Sequence, residues 1–512
     1  MRNSLKESLN KLQSSSLLLT IVVIFSKLIG MLRDVFLANY FGTSNISDAY
    51  LIAISVPTLL FYFIQHAITT SFLPIYNKAL ETEGKECADK FANNLTCISL
   101  LLCAVLVSLL LIFPNEIVKI FASGFNDETN ELCAHFIRIS ACSLFFMTFV
   151  SIWTGYLQAY NNFIIPGIIS LPRNIILIIS IVLGSLIDVN ILGFGILAAY
   201  ISEALLLFPF VLSKKLRLMP TLNFKDPFIK DTLCMVIPIF IGVAVSQINK
   251  IVDRSIASTI QEGAVSALNY ASVINNAVQE ILATSIITIL FAECSSLIAQ
   301  HKKDEVKKKL TGTLNTLLFF LIPASLGIIV CSKELVSSLL CRGVFDENSL
   351  TITKGALCFY AIGLPFLAIR DTLIKVFYSY KETKITTVSS IIAICVNIGL
   401  NFWFMTFMGT NGLALATSIS AIVHCLILYI ILFKKIGDFG TKSILLEIGK
   451  TVVSTAIMVL ILILLRELLY LYISSEILIL GILVVGGLIL YFVMSLLLHS
   501  NVLWGWLRND RK

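Results

Sequence analysis

This 512-residue chain is poor in charged residues. Asp, Glu, Lys and Arg make up 13% of it and hydrophobic residues 57%, whereas soluble domains carry about 25% charged residues. A chain of this length and composition cannot cover itself with a polar surface. The composition therefore excludes a soluble globular protein and predicts a protein that lies within a membrane.

Signatures of catalysis and of tightly bound cofactors are also missing. The twelve cysteines contain no C-x-x-C pair, and no G-x-x-x-x-G-K-[ST] motif appears. No set of His, Cys and carboxylate residues has metal-ligand spacing, and no nucleophile has a paired base. We predict neither an enzyme nor a protein that ATP drives directly.

Long apolar windows recur along the whole chain. We count about fourteen, each near the 20 residues that a membrane helix needs, beginning with 15–37 and ending with 477–499. The fold class predicted is therefore an all-α integral membrane protein with about fourteen transmembrane helices. Lysine and arginine concentrate in alternate loops, which places both termini in the cytoplasm. These loops account for the net charge of +7 without a nucleic-acid partner.

The first apolar window contains charges where a membrane helix normally has none. Lys27, Arg33 and Asp34 lie within it or at its end, and a charge near the bilayer centre costs about 2.5–3.5 kcal/mol on insertion scales. Such groups usually face a watery cavity or a partner. Lys27 and Asp34 are seven residues apart, so they project from roughly one helix face.

The charged pattern recurs about 220 residues later. Arg254 and Tyr270 are 16 residues apart, as are Asp34 and Tyr50. The repeat predicts two six-helix lobes, 1–220 and 228–435. An even number of spans orients both lobes alike, as in a parallel pseudo-twofold repeat. Two further spans within 446–499 are almost purely aliphatic.

The second copy of the pattern adds further polar groups. Lys250 and Arg254 are four residues apart on one face of the seventh span, and Asp253 lies between them. Glu280, in the eighth span, is a candidate ion-coupling carboxylate or a partner for a lysine elsewhere. Because basic groups prevail, the predicted cavity suits an anionic headgroup.

These residues resemble the MurJ/MviN family of lipid II flippases, within the multidrug/oligosaccharidyl-lipid/polysaccharide exporter superfamily. The resemblance covers about 15–435. It rests on Ser26-Lys27-Leu28-Ile29-Gly30, Arg33-Asp34, Phe41-Gly42, Ser47-Asp48-Ala49-Tyr50, Val252-Asp253-Arg254, Arg342-Gly343-Val344-Phe345-Asp346 and Arg370-Asp371-Thr372.

The resemblance implies a function and a mechanism. It implies export of the undecaprenyl-diphosphate-linked peptidoglycan precursor across the bacterial cytoplasmic membrane by alternating access. Lys27, Arg33, Asp34, Asp48, Lys250 and Arg254 would line the cavity, and the last two spans would form a groove for the lipid tail. We expect a monomer among membrane lipids, driven by the membrane potential or by sodium bound near Asp253.

The sequence departs from the family at three cavity positions. Lys27 and Phe61 stand where many members have arginine, and Ser272-Val273 replaces an Asp-Arg pair. Another polyprenyl-linked oligosaccharide is therefore an alternative cargo. A drug/cation antiporter of the same superfamily is a second alternative, although it would prefer an acidic cavity.

Overall fold

The computed structural model describes residues 22–23, 25–216 and 219–509, and their side chains except those of 237–246 and 506–509. Within this part of the chain the regular structure is helical throughout, without β-strands. The predicted all-α membrane fold is therefore confirmed.

Fewer than fourteen membrane-spanning helices lie within the described residues. The described residues include eleven helices long and apolar enough to cross a membrane, or twelve if one bent pair, Asp127–Ser140 and Ser143–Ala159 at 46°, is a single span. The predicted windows 15–37 and 231–257 include residues or side chains outside the described part. The count of fourteen stays a prediction.

The helices group into two compact units, Met1–Gly263 and Ala264–Lys512, called unit 1 and unit 2 below. The helix that follows the basic linker belongs to unit 1 because it packs on the second helix of the chain. The lobes 1–220 and 228–435, and the separate pair 446–499, were predicted from the internal repeat and stay predictions.

Unit 1 is built around one long helix, α2, which packs against α3, α5, α6 and α10. A second pair, α8 and α9, packs side by side, and α9 also contacts α5 and α6. The helices are α1 (25–41), α2 (Asn45–Thr82), α3 (Lys85–Ile112), α4 (Pro114–Phe121), α5 (Asp127–Ser140), α6 (Ser143–Ala159), α7 (Ile164–Gly167), α8 (Ser170–Leu186), α9 (Ile191–Ser213) and α10 (Pro227–Ile260).

In unit 2 the helices α15 and α17 pack together, and α16 covers α17. The two C-terminal membrane helices, α18 and α19, pack on each other, and α18 also packs on α13. The helices are α11 (Ala264–Gln279), a π-helical turn (Glu280–Thr284), α12 (Ser285–Ala299), α13 (Lys303–Val330), α14 (Ser332–Leu340), α15 (Glu347–Ser379), α16 (Thr383–Met408), α17 (Thr410–Ile436), α18 (Thr441–Tyr472), α19 (Glu476–Leu497) and α20 (Asn501–Asn509).

Polar caps in the sequence fix where several of these helices begin. Ser44 and Ser47 form a reciprocal capping box at the start of α2. The Asp226 side chain accepts a hydrogen bond at the start of α10, where Pro227 occupies the first turn. Asp346 caps α15 by accepting a bond from the Ser349 N–H. These caps satisfy backbone donors that apolar surroundings would leave unpaired.

Candidate functional site

Arg33 and Asp34, neighbours in the sequence, form an ion pair near the middle of α1. Asp34 Oδ1 accepts hydrogen bonds from Arg33 Nη2 at 2.8 Å and from Arg33 Nε at 3.2 Å. The Asp34 side chain is 5% exposed and the Arg33 side chain 22%. The acid is therefore buried while part of the Arg33 side chain stays accessible, with Nη1 not engaged by Asp34.

Two tyrosines place further polar groups on the neighbouring helices of unit 1. Tyr50, on α2, is fully buried, and the Tyr200 hydroxyl on α9 lies 3.3 Å from Thr58 Oγ1 on α2. Helices α2 and α9 therefore bring polar groups together within unit 1.

A second ion pair in unit 1 was not predicted from the sequence. Arg173 Nη1 on α8 lies 3.1 Å from Glu203 Oε1 on α9. The Arg173 guanidinium lies 5.9 Å from the centroid of the Tyr200 ring, which faces it. Arg173 and Glu203 are the single charged residues of α8 and α9. Isolated charges in apolar spans are the signal that could have identified them.

The predicted cationic group on α10 is present, but its members differ in environment. Lys250 is exposed, and its Nζ lies 5.8 Å from the centroid of the Tyr62 ring on α2. Arg254 Nη1 is buried and, among the described residues, has no hydrogen-bond partner. A buried donor without a partner is costly, so Arg254 presents an unfilled position for an anionic acceptor.

Asp48, which was predicted to line the cavity, also contacts the turn that follows α10. It is 1% exposed, and its Oδ2 accepts a hydrogen bond of 3.0 Å from the Gly263 N–H. Glu262 Oε1 accepts a bond from the Asn45 N–H. Gly263 has φ +77°, and a Cβ there would lie 2.3 Å from the Thr43 carbonyl oxygen. Asp48 therefore holds the turn after α10 against the start of α2.

Two other predicted site residues, Lys27 and Glu280, are exposed. Lys27 is exposed on α1, two turns before the buried Asp34, so the two do not share one environment. Glu280 belongs to unit 2, where it is exposed and opens the π-helical turn. Just before it, Gln279 Nε2 donates to Asp371 Oδ2 at 3.0 Å, and Asp371 pairs with Arg370 at 2.7 Å.

Asp253 lies among other polar groups of α10. Its Oδ2 accepts a hydrogen bond of 3.1 Å from Asn249 Nδ2, and Lys250 and Arg254 lie within one helical turn. Across the described residues, no group of three His, Cys, Asp or Glu side chains could hold a metal ion. The sodium site near Asp253 stays a prediction.

The fold is shared by a class of solved transporters. A multidrug transporter of the MATE family in the MOP superfamily, in its inward-facing conformation, superposes with a TM-score of 0.70 at 13% identity, covering 81% of this chain and 96% of the transporter. At this identity the likeness shows a common fold.

Sequence comparison narrows this class to one family. The sequence model of the family described as "Lipid II flippase MurJ" matches residues 37–483, and the chain belongs to this family. The probable lipid II flippase MurJ of Rickettsia prowazekii is 27% identical over 484 residues, which is 93% of this chain and 94% of the relative. The lipid II flippase MurJ of Thermosipho africanus is 29% identical over 418 residues, or 81% and 84%. A solved lipid II flippase MurJ in an inward closed conformation is 28% identical with a TM-score of 0.82, covering 95% of this chain and all of that structure.

Proposed function

We propose that this chain flips lipid II, the undecaprenyl-diphosphate-linked peptidoglycan precursor, from the inner to the outer leaflet of the bacterial cytoplasmic membrane. Membership of the lipid II flippase MurJ family is the main support. The observation that carries the proposal within the molecule is the set of arginines inside the apolar helices of unit 1. An anionic diphosphate is the part of the cargo that such groups would recognise.

Each cation of unit 1 has a distinct role in this proposal. Arg33 presents its free edge to the diphosphate while Asp34 fixes its orientation. Arg254 Nη1, buried and without an acceptor among the described residues, gains one from a phosphate oxygen. Lys27 and Lys250, both exposed, act as point charges that attract the headgroup. Asp48 keeps the turn at Gly263 closed and does not touch the cargo.

The lipid tail requires a different surface, and the C-terminal helix pair supplies one. Helices α18 and α19 carry large exposed apolar side chains, including Leu464 at 72% and Leu471 at 77%. Within the bilayer a polyprenyl chain would be held along such helices by van der Waals packing against these side chains. We propose that 446–499 guides the tail while the headgroup moves by alternating access.

Two driving forces are compatible with the family, the membrane potential and a sodium gradient. The cations around Asp253 favour the membrane potential. In proteoliposomes, the transport rate under a membrane potential imposed by potassium diffusion should exceed the rate under a sodium gradient alone. Transport driven by a sodium gradient alone would overturn this assignment. Loss of that transport in Asp253→Asn or in Glu280→Gln would identify the coupling carboxylate.

Complementation tests the function directly. Expression of the chain should restore growth after depletion of a known lipid II flippase, and Arg33→Ala should not. Arg342→Ala is a matched control, because Arg342 lies in the loop before α15 and is outside the proposed site. Failure of the wild-type chain to rescue, despite normal membrane insertion, would exclude lipid II as cargo.

The departures from the family support one alternative cargo. Phe61 is 2% exposed and packed in the core of unit 1, and Val273, which follows Ser272, lies in α11 of unit 2. Neither can replace the cation that many family members carry at that position. Binding of lipid II and of a second undecaprenyl-diphosphate oligosaccharide should be compared, and tighter binding of the second would favour the alternative.

A further inference from the structure

The Arg173–Glu203 ion pair leaves part of its hydrogen-bonding capacity unused. The two groups meet through a single approach of 3.1 Å, and Glu203 Oε1 makes no hydrogen bond of good geometry with any described residue. By contrast, Asp34 Oδ1 accepts from two nitrogens of Arg33. The Arg173 guanidinium therefore keeps donors that Glu203 does not use.

Exposure differs sharply between the two partners. The Glu203 side chain is 4% exposed, and the Arg173 side chain is 32% exposed. The acid is therefore enclosed, whereas part of the Arg173 side chain is accessible. An accessible cation with unused donors can contact a further anionic group.

Helices α8 and α9 do not need this pair for their packing. At Gly195 on α9 an added Cβ would lie 2.1 Å from the Ser180 Cβ on α8. At Gly184 on α8 it would lie 3.1 Å from the Leu192 side chain. Small residues at such contacts let membrane helices approach closely without polar bonds. The cost of placing two charges in these spans therefore calls for another explanation.

Tyr200 relates this pair to the site already described. Its ring faces the Arg173 guanidinium at 5.9 Å, and its hydroxyl lies 3.3 Å from Thr58 Oγ1 on α2. Helix α1 approaches the same place, because a Cβ added at Gly30, about one turn before Arg33, would lie 3.5 Å from Asn174, the residue after Arg173. Arginine forks on α1 and α8 can each bind a phosphate in bidentate fashion.

We propose that Arg173 binds the diphosphate of the cargo together with Arg33, and that Glu203 holds its guanidinium in position while the site is empty. This inference rests on the proposed function and adds a binding residue to it. Tyr200 orients the guanidinium by stacking. In the bound state the unused donors of Arg173 bond to phosphate oxygens, and the contact with Glu203 persists.

Binding measurements on the full chain in nanodiscs test the inference. The probes are undecaprenyl diphosphate and undecaprenyl monophosphate. Arg173→Gln should weaken diphosphate binding about 10- to 100-fold, the range for loss of hydrogen bonds to a charged group. Monophosphate binding should change by less than about threefold, because one phosphate can be held by Arg33 alone.

Companion variants separate binding from structure. Arg173→Lys keeps the charge without the fork and should bind the diphosphate with intermediate affinity. Glu203→Gln keeps an oxygen acceptor for the guanidinium but removes the charge, so its diphosphate affinity should lie between those of wild type and Arg173→Gln. The exchange R173E/E203R restores an ion pair with the cation on the wrong helix, and its diphosphate affinity should stay as low as that of Arg173→Gln. If Arg173→Gln does not fold, the loss expected for Arg173→Lys carries the test.

The outcomes distinguish this inference from the proposed function. If the wild-type chain binds neither undecaprenyl diphosphate nor lipid II, the proposed function fails and the inference fails with it. If wild type binds the diphosphate and Arg173→Gln binds it equally well, only the role of Arg173 is overturned. Recovery of wild-type affinity by R173E/E203R would show a structural pair and would overturn the inference as well.

Discussion

Replacing Arg466 on α18 with methionine should strongly destabilise unit 2, because it leaves a buried carboxylate without its cation. Arg466 Nε donates to Glu334 Oε1 on α14 at 2.5 Å, and the Tyr470 hydroxyl donates to the same oxygen at 2.7 Å. Tyr470 also contacts Glu476, at the start of α19, at 3.0 Å. The cluster therefore joins α14 to both C-terminal helices.

The expected magnitude follows from burial. Glu334 is fully buried, and the Arg466 side chain is 23% exposed. Two charges at about 4 Å and an effective dielectric constant near 20 interact by about 4 kcal/mol, and removal of one partner of a buried pair typically costs about 3–5 kcal/mol. Because Arg466 is partly exposed and Tyr470 remains bonded, we expect about 3 kcal/mol for Arg466→Met.

A double-mutant cycle checks the reasoning. The free energy of unfolding would be measured by force unfolding of single molecules from a bilayer, for Arg466→Met, Glu334→Gln and the double variant. The double variant should be more stable than Arg466→Met, because its buried side chain carries no charge. An effect of Arg466→Met below about 0.5 kcal/mol, or simple additivity in the cycle, would show that the pair does not hold these helices together.

Three further predictions concern unit 1. Arg254→Gln, expressed at a normal level, should rescue a flippase-depleted strain poorly, because it removes a cation whose buried Nη1 has no acceptor among the described residues. Normal rescue would exclude Arg254 from the site. Asp48→Asn should lower the free energy of unfolding by about 1–3 kcal/mol, because it weakens the hydrogen bond from the Gly263 N–H. An unchanged melting temperature together with lost transport would show that Asp48 acts on the cargo in the cavity. Gly195→Ala should lower the free energy of unfolding by about 1–3 kcal/mol, because the new Cβ would overlap Ser180 of α8. The control Gly312→Ala, which has open space around the new Cβ, should leave the melting temperature nearly unchanged in the same assay.

Local patterns were sufficient for the fold class. Apolar length and loop charge are properties of consecutive residues, so they predicted a multi-span helical membrane protein without tertiary information. The boundary between the two compact units could not be predicted in this way, because a sequence repeat does not reveal which neighbouring helices a given helix packs against. Helix α10 begins the second copy of the repeat, yet it packs on α2 within unit 1.

The candidate site also combines contacts that the sequence predicts with contacts that only the tertiary structure reveals. The sequence by itself determined the Arg33–Asp34 pair, since neighbouring residues on one helix meet without help from the rest of the fold. Only the tertiary structure decided the pairing of Arg173 with Glu203, which lie on different helices, and the use of Asp48 to hold the turn at Gly263. A charge in an apolar span signals that a partner is required, but the identity of that partner depends on which helices pack together.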